Sequence, residues 1–121
     1  MSALTWLAVA VLGGVGAVAR FVIDTLVATA CDGEVPAGTL VVNVSGAFTL
    51  GLLTGLAVTG DALLFAGTAA LGSYTTFSTW MLETHRLRQE GQFGQALANV
   101  IVSLVAGIAA VALGRTIGAH A

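Results

Sequence analysis

The sequence predicts an all-α integral membrane protein, with four transmembrane helices, the third of them broken, in one domain spanning residues 1–121. Three observations predict it. Of the 121 residues, 57% are hydrophobic and 8% charged, whereas a soluble domain carries about 25% charged residues to cover its surface. The charges are also clustered, leaving residues 1–19, 35–60, 62–82 and 91–114 with none. Finally, Gly72 opens a stretch in the third run where Ser73, Thr75, Thr76, Ser78 and Thr79 place five hydroxyl residues in seven positions. A helix crosses a hydrocarbon core of ~30 Å with about 20 apolar residues, and each uncharged run meets or approaches that length. The runs are continuous rather than alternating, which excludes a β-barrel.

Taken in order, the helices are expected near 3–28, 37–58, 62–86 and 94–117. The first can run past Arg20, which either snorkels to the interface or pairs with Asp24 four residues on. Ala17-Val18-Ala19 resembles a cleavage site, but Met1–Ala19 has no Lys or Arg to form a signal peptide's positive start, so this segment is read as a membrane helix. Asp32 and Glu34 precede Pro36, where proline suits the first helical turn and acids suit the positive end of the helix dipole. Asp61 reads as the N-cap of the third helix, Arg86 and Arg88 suit its C-terminal end, and Gly91 is its stop. Four spans put both termini on one side. The four arginines lean towards cytoplasmic longer loops, a bias small enough to permit either orientation.

Composition also limits function. All four cations are arginines against six acids, net charge −2, so there is no basic patch for nucleic acid. One cysteine, Cys31, rules out an internal disulfide framework or a cysteine-based zinc site. Glu83, His85, Glu90 and His120 are read as loop or helix-end residues, and two isolated histidines do not make a metal site. With no nucleophile–base set, phosphate loop or paired catalytic acids, the chain does not read as an enzyme.

Polar residues at membrane depth carry the functional reading. One or two of the third-run hydroxyls are explained by bonding back to the preceding turn. The remainder point to a helix break, tolerated only where it is buried or lines a cavity, and its freed carbonyls are hard ligands suited to Na⁺ or K⁺. Thr39 and Asn43 lie one turn apart on the second helix, continuing to Ala47 and Gly51. Asn43 either glues helices together or lines a water-filled path, and Ser103 on the fourth helix leans towards packing. The Gly51/Gly55 and Gly114/Gly118 pairs, with Gly13, Gly14 and Gly16, allow close helix approach, mostly within the bundle. Four such helices enclose little space, so a transport route would form more easily between two subunits. A dimer is therefore expected.

Three segments together resemble the Fluc/CrcB fluoride channels. These are Gly13-Gly14-Val15-Gly16-Ala17-Val18-Ala19-Arg20, the stretch from Gly38-Thr39 through Asn43-Val44-Ser45-Gly46 to Gly51, and Gly72–Trp80 with its Thr75-Thr76-Phe77-Ser78-Thr79 core. The resemblance implies an antiparallel, dual-topology dimer in the cell membrane that passes fluoride passively through two pores. It also implies a central structural Na⁺ held by the backbone carbonyls of Gly72 and Thr75 from both subunits. By position, Phe77 and Trp80 would be the pore aromatics and Asn43 would bond fluoride or its water. Ser103 would begin a polar track, Thr39, Ser78 and Thr79 would be pore-associated hydroxyls, and Arg20 would be structural or steering. The chain departs from the pattern in having Trp80 where the family has Phe, and Gly107 and Val111 where the track continues with hydroxyls. Two alternatives follow: a partner subunit of a heterodimeric channel with a degraded pore of its own, or a small multidrug-type antiporter, for which no carboxylate is expected deeper than Asp24.

Overall fold

The computed structural model describes residues 2–31 and 36–121. Among them every regular element is helical. Helix α1 spans Ala3–Ala30, capped at its start by the Ser2 hydroxyl accepting from the Thr5 amide at 3.1 Å. Helix α2 spans Ala37–Gly55, and α6, the last, spans Phe93–Ala119. These three are long and apolar enough to cross a membrane, which makes the chain a multi-pass membrane protein.

The third predicted span, 62–86, is not one helix. It begins as α3 (Gly60–Leu63), widens into a π-helical stretch over Leu64–Leu71, and resumes as α4 (Gly72–Tyr74). At Thr75 the backbone turns extended (φ −80°, ψ 160°), and α5 (Ser78–Gln89) starts afresh. The sequence pointed to the break but not to the π-helical stretch before it. That stretch, Leu64-Phe65-Ala66-Gly67-Thr68-Ala69-Ala70-Leu71, is rich in small side chains, so apolar periodicity holds it to no one helical register.

Helix ends follow local chemistry, with two corrections. Thr59, not Asp61, is the cap residue of α3, and Asp61 sits in its first turn, where a carboxylate still meets the positive dipole end. Pro36 is the cap residue of α2 rather than a first-turn residue. Asp32 and Glu34 lie outside the described residues. Gly91 is the stop of α5, as expected: at φ 77° its amide donates to Arg88 and that of Gln92 to Leu87, closing a Schellman motif with Arg86 and Arg88 in the last turn. The same motif ends α2, where Ala57 takes the left-handed position at φ 60°.

Glycines set the packing. A Cβ on Gly51 or Gly55 would run into the carbonyl of Val111 or Arg115, and one on Gly114 or Gly118 into that of Phe48 or Leu52. The two small-residue pairs therefore face each other, and α2 packs along α6 within one chain. Gly16 of α1 lies against Ala70 and Ser73, Gly38 against Asp24, and Gly46 of α2 against the Thr75 methyl, seating the broken helix between α1 and α2. Gly14 meets nothing. The apolar core is thin: Val42, Ala69, Leu87, Ala96 and Ala110 are buried, while large side chains of α1 and α6 such as Phe21, Leu97, Leu104 and Ile108 face outward. A lipid solvent tolerates that arrangement, because close backbone contact replaces hydrophobic drive.

Candidate functional site

One side chain of α2 pairs with the backbone of the break. Asn43, on α2, accepts from the Thr76 amide through Oδ1 at 2.8 Å, and its Nδ2 donates to the Thr76 carbonyl at 2.8 Å. The side-chain amide thus pairs with residue 76 as a neighbouring strand would, satisfying both polar groups of a residue that has left the helix. No backbone amide donates across the break to the carbonyls of Gly72, Ser73, Tyr74 or Thr75 among the described residues. Gly72 is exposed and Thr75 half-buried.

The hydroxyls around the break divide into roles. Ser73 donates back to Ala69 at 2.8 Å and Thr75 to Leu71 at 3.1 Å. The Thr76 hydroxyl accepts from the Thr79 amide at 3.2 Å, capping α5, and lies 3.4 Å from that of Ser78. Tyr74 meets Ser45 at 2.9 Å.

Two hollows meet at Thr76, which lines both. The larger, about 700 Å³, is an open groove between α2, the broken helix and α6. Asn43, Gly72, Thr75, Phe77, Trp80 and Ser103 border it, with Gly107 and Val111 one and two turns beyond Ser103 and Arg115 a turn further. Arg115 is the one charged residue on its wall among the described residues. Phe77 is 69% exposed and stands edge-to-face with Trp80, ring centroids 5.7 Å apart at 87°. The smaller hollow, about 230 Å³, is lined by Arg20, Phe21, Asp24, Thr39, Val42, Thr76 and Thr79. Ser78 is exposed and lines neither.

Two readings change here, and one residue is added. Arg20 and Asp24 share the small hollow but do not form an ion pair; the ion pair among the described residues is Arg86–Glu90, 3.8 Å apart on the exposed end of α5. Glu83 is neither a loop nor a helix-end residue: it lies inside α5, half-buried, and accepts a hydrogen bond from the buried Thr39 hydroxyl. Asn99 escaped the sequence reading altogether. Its main-chain carbonyl accepts from the Trp80 indole N–H at 3.0 Å, and its side-chain Nδ2 donates to the Thr84 hydroxyl at 2.8 Å. The signal was available, since Asn99 is one helical turn before Ser103 in an otherwise apolar run.

Residues 7–115 match the family described as CrcB-like protein, Camphor Resistance (CrcB). The chain belongs to this family. Among its CrcB-family relatives, "Fluoride-specific ion channel FluC 2" of Mycolicibacterium paratuberculosis is 57% identical over 91% of this chain and 90% of its own. The FluC 2 protein of Mycobacterium tuberculosis is 53% identical over 93% and 89%, and "Fluoride-specific ion channel FluC 1" of Nocardia farcinica is 44% identical over 87% and 75%. The CrcB match takes in Arg20, Asn43, the whole break and both hollows, reaching as far as Arg115.

Proposed function

We propose that the chain is a passive, fluoride-selective channel that exports fluoride across the cell membrane to relieve its toxicity, working as an antiparallel, dual-topology dimer with two pores. The observation that carries the reading is the groove at the break: an amide, hydroxyls and aromatic rings line it, and among the described residues Arg115 is its one charge and no carboxylate faces it. That lining suits an anion. Aromatic edges are positive, and neutral donors can replace hydration water without trapping the ion by full charge. Arg115 beside the large hollow raises the local anion concentration, whereas Arg20 shares the small one with Asp24, which offsets its charge. Thr39, Ser78 and Thr79 remain the hydroxyls proposed to assist, and Phe77, Trp80, Asn43 and Ser103 those proposed to contact the ion or its water.

Sodium fits the break. The Gly72 and Thr75 carbonyls receive no backbone amide across it and are hard neutral oxygens. Two such carbonyls from each of two subunits would form a shared cage, so Na⁺ is proposed at the dimer axis. When bound, it supplies a fixed positive charge that ties the two broken helices together.

Fluoride efflux from liposomes holding this chain alone, with chloride as the control ion, tests the reading. Fast, fluoride-selective release is expected; efflux of both ions at equal rate removes it. A second reading, a subunit that conducts only beside a paralogous partner, is favoured by Val111 on the groove wall and by Gly107, where an added Cβ meets nothing. Silence from folded protein alone, with rescue by a second family member, would establish that one. The antiporter reading would need a carboxylate at membrane depth as its proton carrier, and flux that ignores an imposed proton gradient disposes of it.

A further inference from the structure

We propose that Asn99 is the positioning residue for the aromatic at 80, acting with Thr84 to hold the Trp80 indole N–H out of the groove. The inference rests on the reading of that groove as an anion path. Trp80 is the third residue of α5, immediately past the break, and its ring lines the groove. Phenylalanine there would present ring edge alone, whereas an indole also brings an N–H. Left free, that N–H is a directed donor to any anion in the groove: it would detain fluoride and give chloride a foothold that an aromatic edge does not. Here it is engaged: the indole Nε1 donates to the main-chain carbonyl of Asn99 at 3.0 Å.

Asn99 keeps that carbonyl in register from its other end. Its Nδ2 donates to the Thr84 hydroxyl at 2.8 Å, and the Thr84 hydroxyl donates to the Trp80 carbonyl at 2.9 Å. The ring of contacts starts and ends on Trp80 and ties the first turn of α5 to α6. It fixes the indole plane, and with it the 87° edge-to-face arrangement with Phe77. What Trp80 offers an ion is then an aromatic edge, the same chemistry as a phenylalanine.

The test uses the full chain carrying Trp6→Phe, which leaves Trp80 as the sole indole. Asn99→Ala and the near-isosteric Thr84→Val are each expected to lower Trp80 fluorescence anisotropy, with Thr84→Ser restoring it. Fluoride-over-chloride selectivity in liposomes is expected to fall about fivefold in both loosened variants, the size of one net hydrogen bond. In a Trp80→Phe background, Asn99→Ala should leave selectivity where Trp80→Phe alone puts it. Unchanged anisotropy in both variants overturns the proposal, and so does an equal selectivity loss in the two backgrounds, which would make Asn99 a plain helix tie. If the chain passes no fluoride alone or with a second family member, the channel reading fails instead, and the anisotropy series still decides the positioning.

Discussion

At Asn43 both ends of one side-chain amide are committed to one residue of the break, which separates two kinds of site residue. Asn43→Ala strands the Thr76 N–H and carbonyl, and each unpaired group costs about 1–3 kcal/mol. The expected outcome is abolished or greatly reduced fluoride flux together with a lower unfolding temperature in detergent. Phe77 is largely exposed in the single chain and stands edge-to-face with Trp80, so Phe77→Ile should cut flux to a similar degree with little change in unfolding. In both variants crosslinking should still capture a dimer. Wild-type flux in either would take that residue out of the mechanism. Asn43 and Ser103 stood out in sequence because a polar residue in an apolar run needs a partner. Glu83 did not, because nothing local distinguishes a helix-end acid from one bonded to a threonine 44 positions away.

Between elements, the decisive contacts are backbone to backbone. Gly51→Val would push a branched side chain into the Val111 carbonyl, and since α2 and α6 are seated on four such glycines, relaxation on one side collides on the other. Overpacking of this kind costs about 1–3 kcal/mol, seen as loss of monodisperse protein on size exclusion. Ala57 offers the opposite change. It occupies the left-handed position of a Schellman motif at φ 60°, a conformation that costs a non-glycine residue roughly 1–2 kcal/mol. Ala57→Gly is therefore expected to raise thermal stability by about 1 kcal/mol without altering flux, and a drop in stability would show that the α2 end is held by something else. The helix pairs with their small-residue spacing were legible in sequence, as were the stop at Gly91 and the existence of a break. Which glycine pair meets which was not, because spacing specifies a face and not its partner.

For the whole molecule, the expected dual topology has a built-in reporter. Cys31 is the sole cysteine, exposed at the end of α1. In sealed vesicles a membrane-impermeant maleimide should label about half of the chains if both orientations are inserted, as a weak arginine bias permits. Labelling of all or none would mean a fixed orientation and would favour the paired-subunit reading. The broad apolar faces of α1 and α6 are consistent with lipid on some sides and a second copy on others.

The sequence by itself determined that this is a multi-pass helical membrane protein, that its third span breaks, and that Gly91 stops the helix after the break. Hydropathy, caps and breakers are properties of neighbouring residues, and consecutive letters carry them. Only the tertiary structure decided that Asn43 clamps residue 76, that Thr39 meets Glu83 and that the Trp80 N–H is taken up by Asn99. It also decided that Arg20 and Asp24 share a hollow without pairing. Those contacts join residues on different helices, and the packing of the helices selects which polar groups come within bonding distance.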